Sequence, residues 1–105
     1  MLQEYRVEKW TGDSLPNVAE LKRTMEAEGF DVFQWSDPPG ATYSRHLHSE
    51  DQSHWIVSGS LELNVAGHGT FRLSPGDRDF MPANTEHSAA VTGDGPVVYL
   101  IGSKR

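Results

Sequence analysis

An all-β barrel preceded by one short helix is what this sequence predicts, on three observations. Helical periodicity occurs once, between Asn17 and Glu28. Past Gly29, short runs of Val, Ile, Leu, Phe and Trp are broken every few residues by Gly, Pro, Asn or Asp, the punctuation of short strands. The length of 105 residues, 36% of them hydrophobic, with ten Gly and six Pro, suits one core that hides roughly 65% of the unfolded surface.

The elements follow in order. Tyr5, Val7 and Lys9 alternate along an extended arm that can pair with a sheet edge, in this chain or a partner's. Val18, Leu21 and Met25 recur at helical spacing, Asn17 with Glu20 reads as a capping box, and Gly29 supplies the stop. Strands are expected near Asp31 to Trp35, Thr42 to His48, Ser53 to Val57, Ser60 to Val65, Thr70 to Leu73, Arg78 to Met81, Glu86 to Val91 and Val97 to Ile101. Turn residues separate them, as in Asp37-Pro38-Pro39-Gly40 and Ser74-Pro75-Gly76-Asp77. So many short strands must close or double over to hide their edges, as a jelly-roll barrel does. The expected organisation is one domain, with an arm and helix (1–29) packed on a barrel (30–105).

Composition narrows the function. Nine Lys plus Arg against 15 Asp plus Glu give a formal charge of −6, which repels a phosphate backbone, so no nucleic-acid partner is expected. No stretch approaches the roughly 20 apolar residues of a membrane helix, and the start from Met1 to Arg6 lacks a signal peptide's apolar core. The expectation is a cytoplasmic protein with no membrane partner. With no cysteine, any metal must be held by nitrogen and oxygen.

His46 and His48 sit two apart in an expected strand, which sends both side chains from one face about 6.6 Å apart along the backbone. The same parity puts Thr42 and Ser44 beside them, in a small polar pocket wall, and turns Tyr43, Arg45 and Leu47 away. Alone, a His-x-His pair is weak evidence of a metal. Its context is Gly40-x5-His46-x-His48-x3-Gln52-x6-Gly59, followed by Gly76-x5-Pro82-x-Asn84-x2-His87. These blocks resemble the paired motifs of the cupin superfamily, and the resemblance covers residues 40 to 91. It implies a cupin-type double-stranded β-helix and a divalent metal held by His46, His48, Gln52 and His87.

Three positions depart from the pattern: Gln52 stands where Glu is usual, Asn84 where Gly is usual, and Val91 where Asn is less strictly found. Asn tolerates a left-handed backbone almost as Gly does. Gln52 matters more, because an amide oxygen is a weaker, neutral donor; Glu50 or Asp51 could substitute by a loop rearrangement, but the spacing to Gly59 fits Gln52. A site of three imidazoles and one amide leaves the ion its full charge, binding metal less tightly but attracting an anion and acidifying bound water more strongly. Iron, nickel, zinc, manganese and copper all suit such a set.

Other residues invite a role. His54 shares the expected inner face with Gln52 and is a candidate acid or base, or a histidine packed beside the pocket. His68 lies in a glycine turn and is expected to be solvated, and Asp77 is expected to make a turn. Phe33, Trp35, Trp55, Phe71, Phe80 and Tyr99 are expected to fill the space between sheets or a dimer contact, with Phe33 and Phe80 lining the pocket. No phosphate loop points to an organic cofactor. The resulting expectation is a metal-binding cupin, dioxygenase-like, whose partner is a small chelating substrate. The alternatives are a non-catalytic module for metal or a small anion and a sugar isomerase or epimerase. The extended arm and exposed aromatic residues suggest a homodimer.

Overall fold

The computed structural model describes residues 3–104; residues 1, 2 and 105, assigned above to the arm and the barrel, lie outside the described residues. The elements are β1 (Arg6–Glu8), α1 (Val18–Ala27), β2 (Asp31–Asp37), β3 (Thr42–His46), β4 (Asp51–Ser58), β5 (Leu61–Val65), β6 (Gly69–Leu73), β7 (Arg78–Phe80), β8 (His87–Ala90) and β9 (Val97–Lys104). They form two antiparallel sheets, ordered β1-β7-β4-β9-β2 and β3-β8-β5-β6. No described helix is long and apolar enough to cross a membrane.

Strand alternation builds the two cores. From β4, Ile56 points between the sheets and packs with Leu61, Leu63, Val65, Leu73, Met81 and Tyr99. Trp55 points outward and joins Leu100, Phe80 and the helix residues Leu21 and Met25. The amphipathic helix therefore covers the outer face of the five-stranded sheet. Gly102 permits its close approach, since a Cβ there would lie 2.6 Å from Met25 Cε and 3.0 Å from Phe30 Cβ.

The helix begins as its sequence dictates, with Asn17 Oδ1 accepting the Glu20 N–H at 3.1 Å and so satisfying one free donor of the first turn. It stops at Gly29, whose φ of 99° is left-handed. Arg78 anchors this end. Its guanidinium lies 4.1 Å from the ring centroids of both Trp55 and Phe80 and donates to Glu28 Oε1 at 2.9 Å.

Several expectations change in detail. The arm strand β1 pairs with β7 of its own chain, with Val7 opposite Asp79. Strand β3 ends at His46, which leaves His48 in the following loop rather than in the strand. Strand β9 runs on to Lys104, through Gly102 and Ser103, because β4 and β2 flank it and take up its backbone groups; its composition alone does not show this.

Asp77 makes the expected turn and also ties down the arm. Its carboxylate accepts the N–H groups of Ser74 at 2.9 Å and Trp10 at 2.8 Å, and lies 3.3 Å from Lys9 Nζ. Burial acts to raise its pKa, but the backbone donors and the Lys9 ammonium outweigh it, so the carboxyl is held below its ordinary value. Asp77→Ala should cost about 1–2 kcal/mol, since it leaves two partly buried N–H groups without their charged acceptor. Because the folded pKa is depressed, this contribution is present above the ordinary value of 3.8 and is lost as pH falls through the folded pKa. Urea unfolding should therefore show wild type and variant converging as the solution is acidified below that value. An equal gap at all pH values would sink the assignment.

Candidate metal centre

The histidines of the two sequence blocks converge through strand pairing. His46 on β3 stands opposite His87 on β8, and the loop after β3 brings in His48. Ring centroids are 4.3 Å apart for His46 and His87, 4.9 Å for His46 and His48, and 5.3 Å for His48 and His87. One nitrogen from each ring lies within 4.8 Å of the others, a separation that donors around a single ion can have.

Two of the rings are already oriented. His46 Nδ1 lies 2.6 Å from the Ser44 carbonyl oxygen and His87 Nδ1 lies 2.9 Å from that of Thr85. A proton on Nδ1 then donates to the carbonyl and leaves Nε2 with a free lone pair, as metal-ligating histidines require. Burial pushes His87 down to about 4, its neighbours His46, His54 and His48 adding to the effect against the Thr85 bond. Burial, then the neighbouring His46, also lowers His48. Neutral imidazoles are the form that binds metal.

Gln52 lies on β4, in the other sheet. It shares a cavity of roughly 380 Å³ with the three histidines, Phe33, Trp35, Tyr43, His54, Leu61, Leu63, Ala89, Tyr99 and Ile101. Its Oε1 is buried and makes no hydrogen bond to the described residues. A buried carbonyl oxygen without a donor is costly, and a cation beside the imidazoles would relieve it. The donor set therefore fits a divalent ion.

Two buried carboxylates stand behind the cavity wall. Asp37 accepts from Trp35 Nε1 at 3.1 Å, Tyr43 OH at 2.7 Å and Tyr99 OH at 2.9 Å. Burial, then the bond to Asp37, raises Tyr99; the bond to Asp37, then burial, raises Tyr43. On the other side, Asp79 accepts from the His54 N–H at 2.8 Å and Tyr5 OH at 3.0 Å, and His54 Nδ1 lies 2.9 Å from it. Burial acts to lower His54, but the Asp79 charge and hydrogen bond prevail and raise it.

Of the residues singled out from the sequence, His46, His48, Gln52, His87, His54 and Phe33 meet in this one cavity. Thr42, Ser44 and Phe80 do not. Strand β3 carries a bulge: Tyr43 pairs with Ala89 and His46 with His87, so three steps on β3 match two on β8. The extra residue reverses the alternation, bringing Tyr43 into the cavity and leaving Thr42 and Ser44 exposed outside it. On β7, alternation turns Asp79 inward to His54 and sends Phe80 into the outer cluster with Trp55 and Leu100. His68 packs its ring 5.9 Å from that of Tyr5. The roles of Tyr43, Asp37 and Asp79 escaped the sequence reading. Inward parity for Asp79 was available from β7, whereas the bulge left no local mark.

The architecture and site together define a double-stranded β-helix with a histidine-rich mouth. Residues 33–102 match the Cupin domain family (Cupin_2), and the chain belongs to that family. It is 36% identical over 64 residues to the dimethylsulfoniopropionate lyase DddQ of Ruegeria pomeroyi, covering 61% of this chain and 31% of that one. The crystal structure of that lyase superposes with a TM-score of 0.66 at 29% identity, over 72% of this chain and 38% of the other. KdgF from Halomonas sp. gives a TM-score of 0.53 at 33% identity, covering 71% and 72%. A mutant of the Bacillus subtilis oxalate decarboxylase OxdC gives 0.64 at 26%, covering 71% and 21%. The chain thus spans about a third of the length of the lyase.

The Asp37 and Asp79 networks predict an unusual alkaline titration. Burial is also the largest cause that raises Tyr5, followed by the Asp79 charge and hydrogen bond, so all three tyrosines stay protonated beyond the ordinary value of 10.0. Their raised folded pKa values make stability full below that pH and progressively lost above it. Spectrophotometric titration should show phenolate formation displaced above the ordinary value in the folded protein, while Asp37→Asn returns Tyr43 towards that value. A tyrosine ionising normally in folded wild type would contradict the network.

Proposed function

We propose that the protein is a mononuclear divalent-metal cupin that binds a small chelating substrate in the barrel mouth and polarises it for reaction. The observation that carries this reading is the convergence of His46, His48 and His87 within 4.8 Å beside the unpartnered Oε1 of Gln52. When bound, the ion would serve as template and Lewis acid. The remaining tasks fall to the chain. Ser44 and Thr85 hold the imidazoles in their ligating tautomer, and the cavity's aromatic and aliphatic wall excludes water from the substrate. His54, with Nδ1 directed to Asp79, leaves Nε2 as the ring nitrogen available to exchange a proton. Relatives that include a lyase and a decarboxylase lead us to rank cleavage of the substrate above the dioxygenase-like alternative.

Non-catalytic capture of metal or a small anion is the second reading, favoured by the weak neutral donor at Gln52. A homodimer and a cytoplasmic location remain proposals from the sequence.

Elemental mass spectrometry of the purified protein should find about one equivalent of iron, nickel, zinc, manganese or copper, the metals such a ligand set accepts. His46→Ala and His87→Ala should each lose it while keeping the far-ultraviolet circular dichroism of wild type. Wild type that takes up no metal after reconstitution would sink the proposal.

A further inference from the structure

Resting on that metal reading, we propose that the centre is built entirely from neutral donors and selects a small monocarboxylate with an apolar body, and that Gln52 sets this choice. Gln52 is 8% exposed, and Oε1 is the buried side-chain nitrogen or oxygen without a hydrogen bond among the described residues. Its orientation is held from both ends. Across the β4–β9 pair its Nε2 donates to Ser103 Oγ at 3.3 Å, and its backbone exchanges hydrogen bonds with Met81 at 2.9 and 2.7 Å. The amide spends its donor on Ser103 and keeps its oxygen bare.

Charge then decides the ligand. Among the described residues no Asp or Glu lines the cavity, and the Asp37 and Asp79 carboxylates behind its wall already accept from Trp35, Tyr43 and Tyr99 or from His54 and Tyr5. A divalent ion held by three imidazoles and an amide keeps both positive charges, and in a low-dielectric cavity that charge favours an anionic ligand. The rest of the wall is not built for a second anionic group. Among the described residues no Lys or Arg lines it, and Leu61, Leu63, Ile101 and Phe33 offer apolar surface instead, where an unpaired carboxylate would lose its hydration without compensation. One carboxylate at the ion and an apolar remainder on the wall satisfies both ends. Ser103 acts as a positioning residue, through the Gln52 amide.

The test uses Co²⁺-loaded full-length protein, with benzoate and its neutral isostere benzamide as probes. Calorimetry first measures Co²⁺ affinity, and the cobalt visible spectrum then follows each probe. Benzoate should bind wild type at least about tenfold more tightly than benzamide, the scale expected of one uncompensated charge in a partly buried site. Gln52→Glu should raise Co²⁺ affinity by about tenfold or more and erase most of the benzoate preference, because a carboxylate neutralises one of the charges. Ser103→Ala should weaken Co²⁺ binding several-fold with an unchanged circular dichroism spectrum. Wild type that takes no Co²⁺ overturns the metal reading and this one together. Wild type that takes Co²⁺ yet binds the two probes equally overturns this one alone, whether or not the buried Gln52→Glu variant folds.

Discussion

The antiparallel pairing of β4 with β9 is the constraint on which the rest of the molecule depends. These strands lie at the centre of the five-stranded sheet, and their register sets Gln52 opposite Ser103, His54 opposite Ile101 and Ile56 opposite Tyr99. A slip of one residue would turn every one of these side chains to the other face. The cavity would lose Gln52 and His54, the inner core would lose Ile56, and Trp55 and Leu100 would leave the helix uncovered. Burying a side chain such as Ile56 or Leu100 is worth about 1.5–3 kcal/mol, so the register is held by the cores on both faces at once.

The second organising feature is the treatment of buried carboxylates. Asp37, Asp77 and Asp79 are each no more than 6% exposed, and an unpaired charge at such depth would be prohibitive. Each is surrounded by donors from distant parts of the chain. Asp77 fastens the arm through Trp10, and Asp79 fastens it through Tyr5 while holding His54. Asp37 gathers Trp35, Tyr43 and Tyr99 from three strands. Asp37 and Asp79 are thereby committed to holding the cavity wall, and the wall itself presents imidazole, amide, aromatic and aliphatic groups. The chemistry proposed for the mouth follows from that division: neutral donors at the ion, apolar surface for the ligand and one histidine backed by a carboxylate.

What the sequence determined by itself lies in local rules and in spacing. The helix and its Asn17 cap follow from periodicity, and the strands from their punctuation. Asn84, the non-glycine residue with positive φ among those described, adopts 65°, as expected of an Asn replacing Gly in that turn. His46, His48, Gln52 and His87 were marked as one group by the resemblance of the two blocks, residues 40 to 91, to the paired cupin motifs. Tertiary structure alone decided the rest. The bulge between Tyr43 and His46 depends on how β3 meets β8, so parity along β3 misplaced Tyr43, Thr42 and Ser44. Phe80 faces the helix because the sheet is covered on both sides, which a hydrophobic residue in a short strand does not reveal. The pairing of Gln52 with Ser103 joins residues 51 positions apart, and no local pattern encodes which hydroxyl will orient an amide across a sheet.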